Sequence, residues 1–284
     1  MRLRSLLFVP GDRPERFDKA VASGADALIL DLEDAVTDER KAAARANVAA
    51  FLAGQPPTPC LVRVNPLDSA LLALDIAALA ATPPAGVVLP KAAGAASIAT
   101  LFARHGAALG PTRILPIATE TAAALFQLAS YAEVADRLLG LTWGAEDLPA
   151  AIGATSARLP DGSYTPPFEL VRSLALFAAH AAGVPAIDTV FPALDDAEGL
   201  ARAVAAARRD GFGGMLAVHP RQVGVINAGF TPDAEEVARA RAVVEAFAAA
   251  PGQGALRLAG RMLDRPHLLQ ARHILSQAGE DAAE

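Results

Sequence analysis

Glu120 and Asp147 are the residues whose type and placement point most directly to chemistry. Each closely follows a short apolar run, 114–117 and 139–143, that reads as a β-strand. If those runs are neighbouring strands, roughly 4.8 Å apart, the two carboxylates meet at one rim. Keeping both ionised in a partly dry pocket is unfavourable, so either one holds a proton or a cation bridges them. No His or Cys stands beside them, and an all-oxygen site suits Mg²⁺, or Mn²⁺, rather than zinc. The competing assignment is structural: Glu120 precedes a helical run and Asp147 follows Gly-Ala-Glu, so both also fit as N-caps.

Arg63 lies inside LVRVN, where a permanently charged fork must face the end of the strand layer or be paired. A fork there suits a carboxylate ligand. The alternative is an ion pair with Asp31 or Glu33, which alternation places on one face of the preceding strand. Lys91, one of three lysines, ends a strand. That place admits either a Schiff-base role or a structural pairing. His219, before Pro220, is either a pocket residue or a helix-start residue. Arg13 and Arg16 follow the first strand and suit either phosphate groups or surface ion pairs.

The elements that must position these residues are eight apolar runs: 6–9, 27–30, 61–64, 87–89, 114–117, 139–143, 187–190 and 215–218. Between them lie stretches with helical periodicity, among them 39–52, 69–81, 121–131 and 197–209. Eight βα units predict an α/β protein of the (β/α)8 TIM-barrel type rather than an open doubly wound sheet. The nucleotide-binding signatures are absent too: there is no GxxxxGK[ST], and the first strand ends in Pro-Gly-Asp. In a barrel the chemistry sits at the C-terminal ends of the strands, and nearly every run here delivers an ionisable group to that rim. Residues 148–167, rich in Gly, Pro, Ser and Asp, are expected to form a long loop over the mouth. From about Pro220 only helical pattern remains, at 232–249 and 266–276. The organisation expected is a barrel over 1–219 and a helical extension over 220–284.

Composition narrows the class further. With 284 residues, 53% hydrophobic and 20% charged, the chain can bury a large core and is far from the composition of disordered proteins. Cys60 is the single cysteine, which excludes an intrachain disulfide and suits a cytoplasmic setting. The opening apolar run is broken by Pro10 and Gly11, so no secretion signal is expected. No segment reaches about 18 uninterrupted apolar residues, so no membrane span is expected either. A net charge of −6 disfavours a nucleic-acid partner.

The runs RSLLFVPGDRPERF, ALILDLEDAV, VRVN, VLPK, the TETA segment around Glu120, WGAEDL, AIDTVF, AVHPRQV and MLDRPH resemble the citrate lyase beta subunit-like proteins. That group includes malyl-CoA and citramalyl-CoA lyases, within the HpcH/HpaI aldolase superfamily. The resemblance spans nearly the whole chain. It implies a Mg²⁺-dependent TIM-barrel lyase that breaks a carbon–carbon bond in a 3-hydroxy acyl thioester such as citramalyl-, malyl- or citryl-CoA. It further implies Glu120 and Asp147 as metal ligands and Arg63 as the grip on the 2-oxo acid. Asp264, which spacing alone reads as an N-cap, becomes an acid/base group reaching a neighbouring subunit in a homotrimer or hexamer. Coenzyme A enters as a thioester substrate, with Arg13 as a candidate phosphate contact. Ala118 departs mildly from the aliphatic residue often found two positions before the glutamate. Other functions within reach are a class II pyruvate aldolase on free hydroxy-keto acids, a citryl-carrier-protein lyase subunit, and a non-catalytic acyl-CoA-binding protein.

Overall fold

Short β-branched and Leu-rich runs, buried on both faces, form parallel strands covered by helices. In the computed structural model, which describes residues 1–280, the barrel strands are β1 Ser5–Pro10, β2 Ala27–Asp31, β3 Cys60–Arg63 and β4 Gly86–Leu89. β5 Ile114–Pro116, β6 Leu141–Thr142, β7 Ala186–Asp188 and β8 Gly214–Ala217 complete the set. Hydrogen-bonded neighbours run β5-β4-β3-β2-β1-β8-β7-β6, so consecutive strands pair in regular ladders everywhere except between β5 and β6. Between β5 and β6 the ladder is reduced to the single bridges Ile114↔Leu138 and Ile117↔Thr142, with the Ala118 N–H donating to the Thr142 carbonyl at 2.9 Å. The result is a nearly closed (β/α)8 barrel. Its interior is filled by Leu6, Ile29, Leu61, Val88, Leu115 and Ile187.

The helices are α1 Phe17–Val21, α2 Lys41–Ala53, α3 Leu72–Leu79, α4 Gly94–Leu109, α5 Ala122–Leu125 and α6 Asp147–Ile152. They continue as α7 Pro166–Ala181, α8 Ala197–Asp210, α9 Pro220–Gly229, α10 Ala234–Ala248 and α11 Arg265–Ala278. α8 shows how sequence sets their ends. The Asp196 side chain accepts the Gly199 N–H at 2.7 Å at its start, and Gly211 takes the left-handed conformation at its stop.

Gly214 starts β8 where no side chain fits, because a Cβ there would lie 1.8 Å from the Leu3 carbonyl oxygen. Gly214→Ala is therefore expected to cost about 2–3 kcal/mol, read as a lowered denaturant midpoint with unchanged m-value.

Three expectations need correction. The helix expected over 121–131 is only the single turn α5, followed by 3-10 turns over Leu128–Arg137. The loop expected over 148–167 is occupied at both ends by helix, since α6 runs to Ile152 and α7 starts at Pro166. Pro149 and Pro166 sit in first turns, where the missing N–H is harmless. The C-terminal region is not purely helical: β9 Ala255–Leu258 and β10 Arg261–Asp264 form an antiparallel hairpin. Its two-residue turn, Ala259-Gly260, has positive φ at both positions (46° and 80°), as a twist-matched hairpin turn requires. α9 begins at the expected boundary, Pro220, and runs to Gly229. The chain divides into a unit of Met1–Asn227 and a second unit from Ala228 onward. Asn227 stitches α9 to the barrel, taking the Ser5 hydroxyl at 2.7 Å and donating to the Gly24 carbonyl at 2.9 Å.

Candidate active site

Glu120 leaves the end of β5, and Asp147 opens α6 just after β6. Neither is a helix cap. Thr121 caps α5, accepting the Ala124 N–H at 3.2 Å, and Asp147 makes no capping hydrogen bond. Glu120 is only 4% exposed. Its Oε2 accepts the Lys91 backbone N–H at 2.5 Å, and Lys91 adopts a φ of +52° there, an uncommon conformation for a long side chain. Across the β5–β6 seam the Thr119 hydroxyl accepts the Gly144 N–H at 3.1 Å. A Cβ on Gly144 would stand 2.7 Å from Glu120 Cγ, so glycine at 144 is what lets the glutamate lie across the seam. Asp147 is half-buried and, among the described residues, no hydrogen bond or ion pair holds it.

Burial pushes the Glu120 carboxyl up to about 8, and the negative charges of Asp147 and Glu33 add to this against the Lys91 N–H. Burial also raises Glu33, opposed by Arg63 and Lys91. The rim thus holds more carboxylate than its own cations satisfy. A divalent ion fits that imbalance: Asp147 has free lone pairs and Glu120 is cradled by a bare backbone. Among the described residues no three His, Cys, Asp or Glu side chains gather as a closed cage. Two carboxylates with open positions suit Mg²⁺, which keeps water and substrate oxygens.

The raised carboxyl sets a pH dependence for the metal-free protein. Between the unfolded value near 4.5 and the folded value of about 8, the folded state holds a proton the unfolded state has lost, so stability falls as pH rises. Thermal melts in chelator at pH 5 and pH 8 are expected to show a larger fall for the wild type than for Glu120→Gln. A single group sets a ceiling of about 1.4 kcal/mol per pH unit on that difference. Equal falls would contradict the assignment.

Arg63, at the end of β3, is the second feature of the rim. Its Nε and Nη2 donate to Asp31 at 2.7 and 2.6 Å, and Nη1 lies 3.1 Å from Glu33 Oε2. The guanidinium also lies over the Phe8 ring at 4.8 Å. The pairing with Asp31 and Glu33 weighed from sequence is thus present. Since a guanidinium carries five N–H donors, at least one remains on each terminal nitrogen for a ligand. Lys91 Nζ pairs with Glu33 Oε1 at 3.0 Å. Burial alone would lower its pKa, but the Glu33 pairing outweighs that and raises it, which opposes a nucleophilic amine.

Arg63, Glu120 and Asp147 line one cavity of about 710 Å³ at the C-terminal end of the barrel, together with Trp143 and His219. His219 also accepts the Arg221 N–H on Nδ1 at 3.1 Å, so it serves both the cavity and the start of α9. From the first βα loop Arg16 and Lys19 face this cavity. Arg13 is not among the lining residues and lies 4.0 Å from Asp12 and 3.9 Å from Glu15. Nor does 148–167 roof it: Arg158 and Tyr164 line a separate cavity of about 570 Å³. Asp264 belongs to the second unit, at the N-cap of α11, where it pairs with His267 Nδ1 at 2.5 Å. Thr119 and Gly144 flank the two carboxylates in sequence, but only the fold shows that they lock the seam.

A parallel α/β barrel with an acidic pair beside an arginine fork at its C-terminal rim has the makings of a metal-assisted site for an anionic substrate. Residues 4–220 match the HpcH/HpaI aldolase/citrate lyase family, and the chain belongs to it. It is 40% identical over 280 residues to a citrate lyase subunit beta-like protein of Mycobacterium tuberculosis, covering 98% of this chain and 96% of that one. It is 33% identical over 284 residues to a (3S)-malyl-CoA thioesterase of Cereibacter sphaeroides, covering 99% and 96%. Among solved structures it resembles the CitE protein of M. tuberculosis in complex with magnesium, acetoacetate and coenzyme A. That match has a TM-score of 0.83, 38% identity and 98% coverage of both chains.

Proposed function

We propose that this chain is a Mg²⁺-dependent carbon–carbon lyase acting on a 3-hydroxy acyl thioester of coenzyme A. The observation that carries this reading is the placement of an acidic pair with no cation of its own, Glu120 and Asp147, in one cavity with the free N–H groups of Arg63. A relative crystallised with magnesium, acetoacetate and coenzyme A supports it. Mg²⁺ held by Glu120 and Asp147 would supply positive charge to a ketone oxygen at this rim. Arg63 binds the carboxylate beside that carbonyl through its remaining N–H groups, already oriented by Asp31. In the cleavage direction a base takes the 3-hydroxyl proton, and the electron pair of the bond between the hydroxyl carbon and the thioester α-carbon passes to the thioester as that bond breaks. A 2-oxo acid leaves, and the thioester enolate takes up a proton to become an acyl thioester such as acetyl-CoA. Asp264 is the group assigned to that proton transfer, delivered by the C-terminal extension of a neighbouring subunit in a trimer or hexamer. Arg16 and Lys19 are better placed than Arg13 for the coenzyme A phosphates, since they face the cavity.

The test is release of 2-oxo acid from malyl-CoA, citramalyl-CoA and citryl-CoA, each with Mg²⁺ and with chelator. The reading expects chelator-sensitive release from at least one. Cleavage only of free hydroxy-keto acids would replace it with a pyruvate aldolase, and turnover only of a carrier-protein thioester with a citrate lyase subunit. Acyl-CoA binding without turnover would make the chain a binding protein. The malyl-CoA thioesterase relative favours one further outcome, hydrolysis of the thioester itself.

A further inference from the structure

Asp188, at the C-terminal end of β7, stands where barrels of this kind place chemistry, yet its carboxylate faces away from the large cavity. It is 3% exposed. Oδ1 accepts the indole N–H of Trp143 at 2.6 Å and the Thr189 N–H at 2.9 Å. Oδ2 accepts Arg172 Nε and Nη2 at 3.0 and 2.8 Å. Arg172, from α7, continues to Asp210 at the end of α8 at 2.7 Å and lies over the Phe212 ring at 4.6 Å.

What this network grips is the residue before Gly144. Trp143 is fully buried and is the chain's single tryptophan. The edge of the Tyr164 ring meets it at 5.1 Å, and Arg158 lies over Tyr164 at 4.0 Å. The indole is therefore fixed by Asp188 through its N–H and by Tyr164 through its ring. Gly144, next in the chain, lies so close to Glu120 that a Cβ would not fit between them, and it is tied to Thr119; three residues further on is Asp147. β6 itself spans only Leu141–Thr142, too short a ladder to fix the turn that follows it.

We infer that Asp188, held by Arg172, is a positioning residue that sets the spacing of Glu120 and Asp147 through the Trp143 indole. It touches neither substrate nor metal. The inference deepens the proposed function and rests on it, since the spacing matters only if the pair holds a cation. Groups that orient metal ligands are typically worth 10- to 100-fold in metal affinity.

The experiment is calorimetric titration of Mg²⁺ into the protein with pyruvate present, alongside thermal melts. Asp188→Asn and Trp143→Phe are each expected to weaken Mg²⁺ binding about 10- to 100-fold, and the double variant to be no weaker than either, because both cut one link. Asp210→Asn removes the outer partner of Arg172 without touching Trp143. It is expected to lower the melting temperature while leaving Mg²⁺ affinity within about twofold. In Asp188→Asn the emission of the single tryptophan is also expected to shift. Mg²⁺ affinity that falls in step with melting temperature across all variants, Asp210→Asn included, would make the network merely structural and overturn the inference. Unchanged affinity in Trp143→Phe would overturn it even if Asp188→Asn failed to fold. A wild type that binds no Mg²⁺ would sink the proposed function instead, and this inference with it.

Discussion

Glu120→Gln and Asp147→Asn are each expected to lower Mg²⁺-dependent cleavage about 10³-fold, the scale of losing a preorganised electrostatic contact to the developing charge. The two should differ in stability. Glu120 is buried, crowded by other carboxylates and raised to about 8, so the neutral amide relieves repulsion, and at pH 8 without metal the variant is expected to be at least as stable as the wild type. Asp147 is half-buried and unpartnered, so its replacement should leave stability nearly unchanged. Steady-state rates over a Mg²⁺ series, with melts in chelator, check both halves. Full activity of Asp147→Asn in chelator would remove the metal assignment.

Arg63→Met is expected to cost about 3–5 kcal/mol, because it strands Asp31, which is 1% exposed, without its cation. Glu33 retains Lys91, so the penalty falls mainly on Asp31. Arg63→Lys keeps a positive charge but loses the planar fork. It is expected to hold more of the stability while weakening pyruvate binding about 10- to 100-fold, one charge-assisted hydrogen bond's worth. Urea denaturation separates the first effect from the second, and pyruvate titration reads the second. If Lys bound pyruvate as tightly as Arg, the fork would serve Asp31 alone.

The parts of this account that were legible in the sequence are those fixed by short-range pattern. The eight apolar runs became the eight barrel strands because a strand buried on both faces needs little more than a β-branched or Leu-rich run between breakers. Glu120, Asp147 and Arg63 could be placed at one rim because strand order in a βα barrel follows chain order. The hairpin of the C-terminal unit escaped notice because its turn is Ala-Gly, with Ala259 at a φ of +46°, and lacks the Asn or Asp that usually marks such turns. The 3-10 turns after α5 are hidden by alanines and leucines that suit any helix. Asp188 lies within the seventh apolar run, but that it turns outward to Arg172 depends on a contact 16 residues away in sequence, which no local pattern encodes. The same holds for Arg63, whose spacing allowed both a ligand grip and an ion pair; the structure shows the ion pair with free N–H groups left over.

Product identification from malyl-CoA incubated with the protein and Mg²⁺ separates carbon–carbon cleavage from thioester hydrolysis. Cleavage between the hydroxyl carbon and the thioester α-carbon yields glyoxylate and acetyl-CoA in equal amounts, and citramalyl-CoA would correspondingly yield pyruvate and acetyl-CoA. These pairs are expected, abolished by chelator and lowered about 10³-fold by Asp147→Asn. Free coenzyme A and the intact hydroxy acid as first products, formed without acetyl-CoA, would contradict the lyase reading.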